Sequence, residues 1–348
     1  MIFTTRLRKF LSLAPLFLGA LAATKAEEVS PPEFVEAVLH EGHLICLADN
    51  RTVTAWNVSD LSMDHEWTRQ LSAKQPLGLA QDSPRLWIYD GSGLSTWPSS
   101  QTGKVERIES PSRDTEYVRL LGIKGEIYAI FPPGIYAIGT HRMFRVPELG
   151  GQLKINSLRI LTVAKSGDDI WIGTGNGEWG GHLVKFNTLT QQWQWYYDSL
   201  HYVTGIAADS SGKIWVSWSM SHFSANTVIR AHGKDTNPIQ EGKLLEQHYY
   251  QALAYSEFDH ALYGVEQSTL GVIDAEGELT SPVNLGQIIY PRENNAIGVR
   301  PAVLRIIPLG PKRTVIVFNY GDPVMVQNGK TVRFEAPAPP LTASRPAS

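Results

Sequence analysis

Short apolar runs recur along most of the chain, and each run follows a polar turn. The run that begins at Ile170 reads Ile-Trp-Ile-Gly, and the run that begins at Ile214 reads Ile-Trp-Val-Ser. β-Branched and aromatic residues dominate these runs, and this composition is typical of short β-strands. Seven such runs, spaced 41 to 53 residues apart, begin at Leu44, Leu86, Ile127, Ile170, Ile214, Leu262 and Val315.

Each repeat divides into four short runs. In the fourth repeat these runs are residues 160–164, 170–174, 183–187 and 193–197. Four strands within about 40–45 residues match the size of one propeller blade, and propellers usually have four to eight blades. The sequence therefore predicts an all-β protein, a seven-bladed β-propeller of four-stranded antiparallel blades.

The two terminal repeats each supply a complete set of runs. Residues 34–39 provide a first strand for repeat one, and residues 330–336 provide a last strand for repeat seven, so no exchanged closing strand is predicted. Bulky aromatic side chains at one repeat position are predicted to fill the gaps between blades. They are Trp87, Tyr128, Trp171, Trp215 and Tyr263.

Residues 1–26 have the pattern of a secretory signal peptide. Arg6, Arg8 and Lys9 precede an apolar stretch of about 14 residues, shorter than the roughly 20 that a membrane span needs. Ala20-Leu21-Ala22 fits a cleavage site. The sequence thus predicts a cleaved signal at 1–26, a linker at 27–33, one propeller domain at 34–336 and a disordered Pro/Ala/Ser tail at 337–348.

Composition narrows the function classes. Apolar residues make up 43% of the chain and charged residues 19%, which excludes an intrinsically disordered protein. The net charge of −3 offers no basic surface for nucleic acid. Cys46 is the single cysteine, so no intrachain disulfide can form, and its apolar neighbours predict a buried side chain. No other stretch of the sequence is long and apolar enough to span a membrane. We therefore predict a periplasmic or extracellular protein that has no membrane span after the signal is cleaved.

Two repeats carry a family resemblance. Ile206-Ala207-Ala208-Asp209, followed by Gly212-Lys213-Ile214-Trp215-Val216, resembles the repeat of the two-component-regulator propellers, as do residues 168–174 with 181–186. The resemblance covers about 80 residues, and it implies the fold but no reaction. Streptogramin lyases and gluconolactonase-like enzymes are similar propellers with a metal in the central channel, but their ligand residues cannot be placed on this sequence.

Long loops mark one region of the predicted propeller. Loops between second and third strands, and loops between blades, gather at one end of the channel, where binding residues are commonly found. Two adjacent long loops, 175–182 and 219–226, lie on either side of the connection 198–202, and we call these three segments the mouth loops. The predicted ligand-binding residues in them are Glu178, Trp179, His182, His201, Tyr202, His222 and Phe223.

Two further sets of donors could bind ligands. Arg292 and Arg300, in the connection between repeats six and seven, could grip a carboxylate or phosphate. The histidines and Glu178 of the mouth loops could hold a divalent metal with a position open for water. Because no spacing among them matches a known metal motif, the sequence predicts no cofactor and keeps the metal as an alternative.

No catalytic motif supports an enzyme. The chain lacks a Gly-x-Ser-x-Gly elbow, a phosphate-binding loop and a His-Glu-x-x-His pair, so catalytic residues are not assigned. The sequence favours an exported, non-catalytic binding protein that docks a protein, peptide or glycan on its loop face. One alternative is a metal-assisted lyase or hydrolase acting on a small substrate in the central channel. The other is a periplasmic sensor partner.

Overall fold

A computed structural model describes most of the repeat region. The described residues are 32–82, 84–91, 93–97, 119–131, 134–147, 159–175, 181–196, 202–220, 224–232, 250–266, 268–273, 279–285 and 302–334. They all belong to the second of two compact units, 1–31 and 32–348. The predicted signal peptide, most of the linker and the predicted tail lie outside the described residues.

Within these ranges the strands form seven antiparallel sheets, numbered here in chain order, and consecutive strands pair in each sheet. Sheets 1 to 3 contain β1 (Phe34–His40), β2 (His43–Ala48) and β3 (Val53–Asn57); β4 (Gly78–Asp82), β5 (Arg85–Tyr89) and β6 (Leu94–Trp97); β7 (Arg119–Ile123), β8 (Glu126–Phe131), β9 (Gly134–Ala137) and β10 (Arg142–Arg145). Sheets 4 and 5 contain β11 (Arg159–Ser166), β12 (Asp169–Gly175), β13 (Leu183–Asn187) and β14 (Gln192–Trp195); β15 (Tyr202–Ala208), β16 (Ile214–Met220) and β17 (Ser224–His232). Sheets 6 and 7 contain β18 (Tyr250–Ser256), β19 (Ala261–Glu266), β20 (Thr269–Ile273) and β21 (Leu279–Asn284); β22 (Val303–Gly310), β23 (Arg313–Phe318), β24 (Val324–Gln327) and β25 (Lys330–Arg333).

The predicted all-β propeller with four-stranded antiparallel blades is confirmed in sheets 3, 4, 6 and 7. The fourth run predicted for repeat five lies outside the described residues. The innermost strands β1, β4, β7, β11, β15, β18 and β22 pack against one another in that order, and β22 also packs against β1. The described sheets are therefore arranged around a closed ring of innermost strands.

The prediction of four strands in repeat one is wrong. After β3, a single bridge joins Trp56 to Met63, and the chain then forms the helix α1 (His65–Ser72). Asp64 caps this helix, because its Oδ1 accepts a hydrogen bond from the backbone N–H of Trp67 at 2.9 Å. Only Leu71 of the helix is fully buried, so the segment has the polarity of a surface helix rather than a buried strand.

Each pair of neighbouring sheets shares its own apolar cluster. The predicted interblade aromatics are confirmed as packing residues, since Tyr128, Trp171 and Tyr263 are buried. Trp87 and Trp215 are partly buried and pack against the clusters of sheets 2–3 and 5–6. The described residues thus place their large aromatic side chains between sheets, where apolar burial holds the ring together.

The contact between sheets 7 and 1 is made without strand exchange, as the sequence predicts, because each of these sheets consists of consecutive strands. Cys46 and Trp56 of sheet 1 share a cluster with Val317 and Phe334. Cys46 is fully buried, as predicted, and burial raises the pKa of its thiol well above the ordinary value, with the charge of Glu36 adding to the effect.

Turns at one end of the sheets bind neighbouring sheets together. The Asp82 carboxylate accepts a hydrogen bond from Gly125 N at 3.2 Å, and Asp259 accepts one from Lys312 N at 2.9 Å. Lys165 Nζ donates to the carbonyl of Gly122 at 2.7 Å. We call this end, where the innermost strands finish, the far end. Its polar groups are engaged in holding adjacent sheets together.

His40, at the far end of β1, gives the fold a pH dependence. Its side chain is buried, and Nε2 has no hydrogen-bond partner in the part of the chain that the structure describes. Burial lowers the pKa of His40, nearby Glu41 opposes that effect, and His43 adds to it. The unfolded chain therefore binds a proton more readily, so stability should fall as the pH drops below about 6.5.

Urea unfolding between pH 8 and pH 5.5 would measure this effect. We expect the unfolding midpoint of the parent to fall with pH, and that of His40→Leu to fall less. The exposed helix residue His65 provides the control, because His65→Gln should keep the parent's pH dependence. Equal slopes for the parent and His40→Leu would contradict the assignment to His40.

Candidate functional site

The end of the ring at which the innermost strands begin is called here the mouth. Arg159, the first residue of β11, pairs with Gly175, the last residue of β12. Tyr202, the first residue of β15, pairs with Ser219 near the end of β16. The predicted mouth loop 175–182 continues from the end of β12. The prediction of a long loop at 219–226 is wrong, because β16 extends to Met220 and β17 begins at Ser224, and Met220 pairs with Ser224. The structure therefore places the start of loop 175–182 and the short connection 221–223 at the mouth.

Most of the predicted ligand-binding residues lie outside the described residues, namely Glu178, Trp179, His201, His222, Phe223, Arg292 and Arg300. His182 is described and is 2% exposed, with its ring edge-on to Trp195 at a centroid distance of 5.2 Å. Its backbone N–H donates to Thr174 Oγ1 at 2.9 Å. The His182 side chain thus packs within sheet 4, and Tyr202 lies at the first position of β15.

A β-bulge recurs close to the mouth in five of the innermost strands, which are β1, β11, β15, β18 and β22. In β1, Phe34 pairs with Ala48 and Glu36 with Leu47, so one residue is extra. Bulges bend a strand and redirect side chains, and they are common at barrel rims and beside functional sites. The residues that follow the bulge are Glu36, Thr162, Gly205, Ala252 and Arg305.

Two of these equivalent positions carry opposite charges, and they meet at the mouth. Arg305 donates from Nε at 3.0 Å and from Nη2 at 2.9 Å to Glu36 Oε1. Arg119, the first residue of β7, donates from Nη1 to Glu36 Oε2 at 3.1 Å. We call Glu36, Arg119 and Arg305 the mouth cluster. The mouth cluster links the innermost strands of sheets 1, 3 and 7. Its three residues therefore come from three different sheets.

The charged groups of the mouth cluster differ in exposure. The Glu36 side chain is 2% exposed, whereas the side chains of Arg119 and Arg305 are 14% and 30% exposed. Both guanidinium groups contact the same buried carboxylate. In this partly buried setting their attraction to Glu36 is screened less than it would be in water.

Sequence reasoning missed the mouth cluster because it concentrated on long loops. A signal was present in the apolar strand sequences Phe-Val-Glu-Ala-Val-Leu and Val-Leu-Arg-Ile-Ile, where Glu36 and Arg305 are the only charged residues. A lone charge inside a buried strand is seldom found without a partner. The signal indicates that a partner exists, but it does not name the strand that supplies it.

The described residues contain no group of three or more His, Cys, Asp or Glu side chains that could hold a metal ion. The divalent-metal alternative depends on mouth-loop residues outside that part of the chain, and it stays a prediction. Among the described residues, no helix combines the length and apolar character of a membrane span.

Comparison with known proteins supports the fold. YCF48 from Cyanidioschyzon merolae superposes with a TM-score of 0.53 at 11% identity, covering 86% of this chain and 98% of that one. A structure of YCF48 bound to D1 peptide gives 0.52 at 12% identity, covering 88% and 94%. The β-propeller domain of Myceliophteria thermophila Cps50 (Swd1) gives 0.50 at 12% identity, covering 89% and 99%. No protein-family model matches the sequence, and no curated protein matches it.

At these identities the likeness shows a β-propeller fold and nothing about function. The resemblance to two-component-regulator repeats is not matched by a family model, so it remains a prediction.

Proposed function

We propose that this chain is an exported, non-catalytic binding protein whose seven sheets close as propeller blades and whose mouth docks a peptide segment of a partner. The observation that carries the proposal is the mouth cluster, a charged group assembled at the mouth from three different sheets. In sheets 4, 5 and 6 the position equivalent to Glu36 and Arg305 holds Thr162, Gly205 and Ala252. Closing the ring therefore does not require charge at this position.

The two ends of the ring differ in a way that supports binding at the mouth. At the far end, side chains such as Asp82 and Asp259 are used on the turns of adjacent sheets. At the mouth, five innermost strands carry bulges and the long loop 175–182 begins. A rigid ring that presents variable loops at one end is a common arrangement for binding. The structure of YCF48 with D1 peptide is a case of a peptide bound by a protein of this fold.

The proposed docking surface consists of the mouth cluster and the predicted loop residues around it. Trp179 and Phe223 would supply apolar anchors, because aromatic side chains often dominate binding energy at interfaces. His182 would contribute by packing against Trp195 beneath its loop. Arg292 and Arg300 would add positive charge at the edge of the same surface.

Selection from a random peptide library against the full chain, expressed with its own N-terminal segment, would test the proposal. Affinities of the enriched peptides should fall at least tenfold for Trp179→Ala/Phe223→Ala, because the anchors are removed. The matched control is Leu189→Ala/Phe258→Ala, which removes two exposed apolar side chains from far-end turns. The control should stay within twofold of the parent.

Two results would contradict the docking proposal. One is that no peptide is enriched above a blank surface. The other is that the far-end variant weakens binding as much as the mouth-loop variant does. Thermal unfolding of both variants would show whether each keeps the parent fold.

A further inference from the structure

We propose that helix α1 is a pH-controlled strap, which covers the outer edge of sheet 1 at neutral pH and is released when His40 takes up a proton. Helix α1 follows β3 in sheet 1, where sheets 3, 4, 6 and 7 have a fourth strand. The proposal is independent of peptide docking at the mouth. It rests on how α1 closes the strand edge, on how little apolar burial holds it there, and on where His40 lies.

The outer edge of β3 is closed by side chains of α1. The backbone N–H of Val53 donates to Ser72 Oγ at 2.9 Å, and the Ser72 hydroxyl donates back to the Val53 carbonyl at 3.1 Å. The backbone N–H of Ala55 donates to Thr68 Oγ1 at 3.0 Å. Thr68 and Ser72 are four residues apart and therefore lie on one face of the helix. Two hydroxyl groups thus satisfy backbone groups that an added strand would otherwise satisfy.

Few apolar contacts hold α1 in this position. Leu71 is its only fully buried residue. Trp67 makes the aromatic contacts, because its ring stacks on His43 at a centroid distance of 4.0 Å and meets Trp97 edge-on at 6.0 Å. A helix of this length is not stable by itself in water. The helix therefore depends on Leu71, on Trp67 and on its hydrogen bonds to β3.

His40 lies beside the same Trp67 ring, with the two ring centroids 6.2 Å apart. The His40 side chain is 2% exposed, and Nε2 has no hydrogen-bond partner in the described part of the chain. A proton on this ring would place a cation in an apolar setting without a hydrogen bond, which is unfavourable. Moving Trp67 away would admit water to the ring. Release of α1 is therefore coupled to protonation of His40.

Two titratable groups act on His40 from β2 and from the turn before it. The Glu41 carboxylate lies 3.9 Å from His40 Nε2, but the Glu41 side chain is 54% exposed, so water screens its attraction for a proton on His40. His43 opposes a proton on His40 by repulsion. Burial is the largest effect, and it lowers the pKa of His40.

The charged groups of the other elements near His40 are directed elsewhere. On the side of sheet 2, Asp82 Oδ2 accepts a hydrogen bond from Gly125 N in sheet 3, and the Arg85 guanidinium lies over the Trp87 ring. The charged side chains within α1 are exposed to solvent; they belong to His65, Glu66 and Arg69. None of these groups is placed to compensate a proton on His40.

His43 acts on α1 in the opposite direction to His40. Its Nε2 lies 3.2 Å from Asp64 Oδ2, and Asp64 Oδ1 caps the helix. Protonation of His43 would turn this hydrogen bond into an ion pair and hold α1 more firmly. The releasing proton must therefore belong to His40. Removing the His40 imidazole should abolish the release at low pH or reverse the pH response.

Hydrogen exchange of the full chain, followed by mass spectrometry at pH 7.5 and pH 5.5, would test the strap. Protection factors correct for the intrinsic pH dependence of exchange. At both pH values the peptides that cover α1 and β3 should be less protected than those of β12, because release of α1 does not require the ring to unfold. Their protection should fall severalfold at pH 5.5, with a limit of about tenfold set by a histidine of ordinary pKa after release.

Three variants assign the response. His40→Leu should show no fall in the protection of α1 at pH 5.5, and the remaining pair of His43 with Asp64 should even raise it. His43→Gln should lower the protection of α1 at both pH values and keep the fall. His65→Gln, which changes an exposed histidine within α1, is the matched control and should behave as the parent. If His40→Leu does not fold, His40→Gln takes its place as a neutral side chain.

Three results would overturn the inference. One is a parent chain in which the protection of α1 does not change between the two pH values. Another is a His40→Leu variant that keeps the parent's fall. The third is equal protection of α1 and β12 in the parent, since α1 would then open only when the whole ring unfolds.

Discussion

Glu36→Ala is expected to lower the free energy of unfolding by about 3–5 kcal/mol, one of the two largest effects predicted for this chain. The substitution leaves the Arg119 and Arg305 guanidinium groups without the carboxylate that both contact. The two positive charges would then repel each other in a partly buried setting. Urea unfolding, followed by tryptophan fluorescence, measures the loss.

Glu41 supplies the control for this substitution. It lies just after the same strand with a side chain that is 54% exposed, so Glu41→Ala should change stability by less than about 0.5 kcal/mol. A triple variant, Glu36→Leu/Arg119→Met/Arg305→Met, should retain most of the parent stability, because buried ionic groups can often be replaced by apolar ones. If Glu36→Ala proves as stable as Glu41→Ala, the cluster does not hold the buried charges together as described.

The triple variant also separates stability from function. Apolar replacement should preserve the ring and weaken the binding of peptides selected against the parent chain. A buried ionic group costs desolvation that an apolar group would not. Small residues take the equivalent position in sheets 4 to 6. These two facts together favour a binding role for the mouth cluster over a purely structural one.

The strand pattern could be predicted because its causes are local. In repeat four, apolar and aromatic runs between polar turns gave 183–187 for the third strand, which agrees with β13 at Leu183–Asn187. The helix α1 could not be read from the repeat period, since it replaces a strand in one repeat only. Its local signals in the sequence were the capping residue Asp64 and the mostly polar residues that follow it.

The candidate site was harder to predict because its residues are distant in sequence. Arg305 lies 269 positions from Glu36 and Arg119 lies 83 positions away. The sequence marks both strand residues as unusual, but only the ring brings them together. The mouth loops were predicted from their length. The structure supports the position at which loop 175–182 begins, but it continues β16 and β17 through most of the predicted loop 219–226. Their binding role remains a prediction.

Trp56→Ala is the other substitution for which we expect a large loss of stability. It should lower the free energy of unfolding by about 3–5 kcal/mol. Trp56 is 1% exposed and lies at the contact between sheets 7 and 1. Phe34 and Phe334 approach its ring edge-on, with centroids 6.2 Å and 6.0 Å away. Because no strand is exchanged between these sheets, apolar packing and hydrogen bonds such as Phe34 N to Asn319 O at 2.7 Å hold them together.

The Trp56 variant also tests where the ring opens. Removing the indole should speed amide hydrogen exchange in β1 and β25 more than in β12, which lies away from this contact. Phe258→Ala is the control, because that side chain is 56% exposed and its loss should cost less than about 0.5 kcal/mol. Uniformly faster exchange in all sheets would mean that the ring unfolds as one unit. Exchange confined to sheets 1 and 7 would mean that their contact is the point at which the propeller opens.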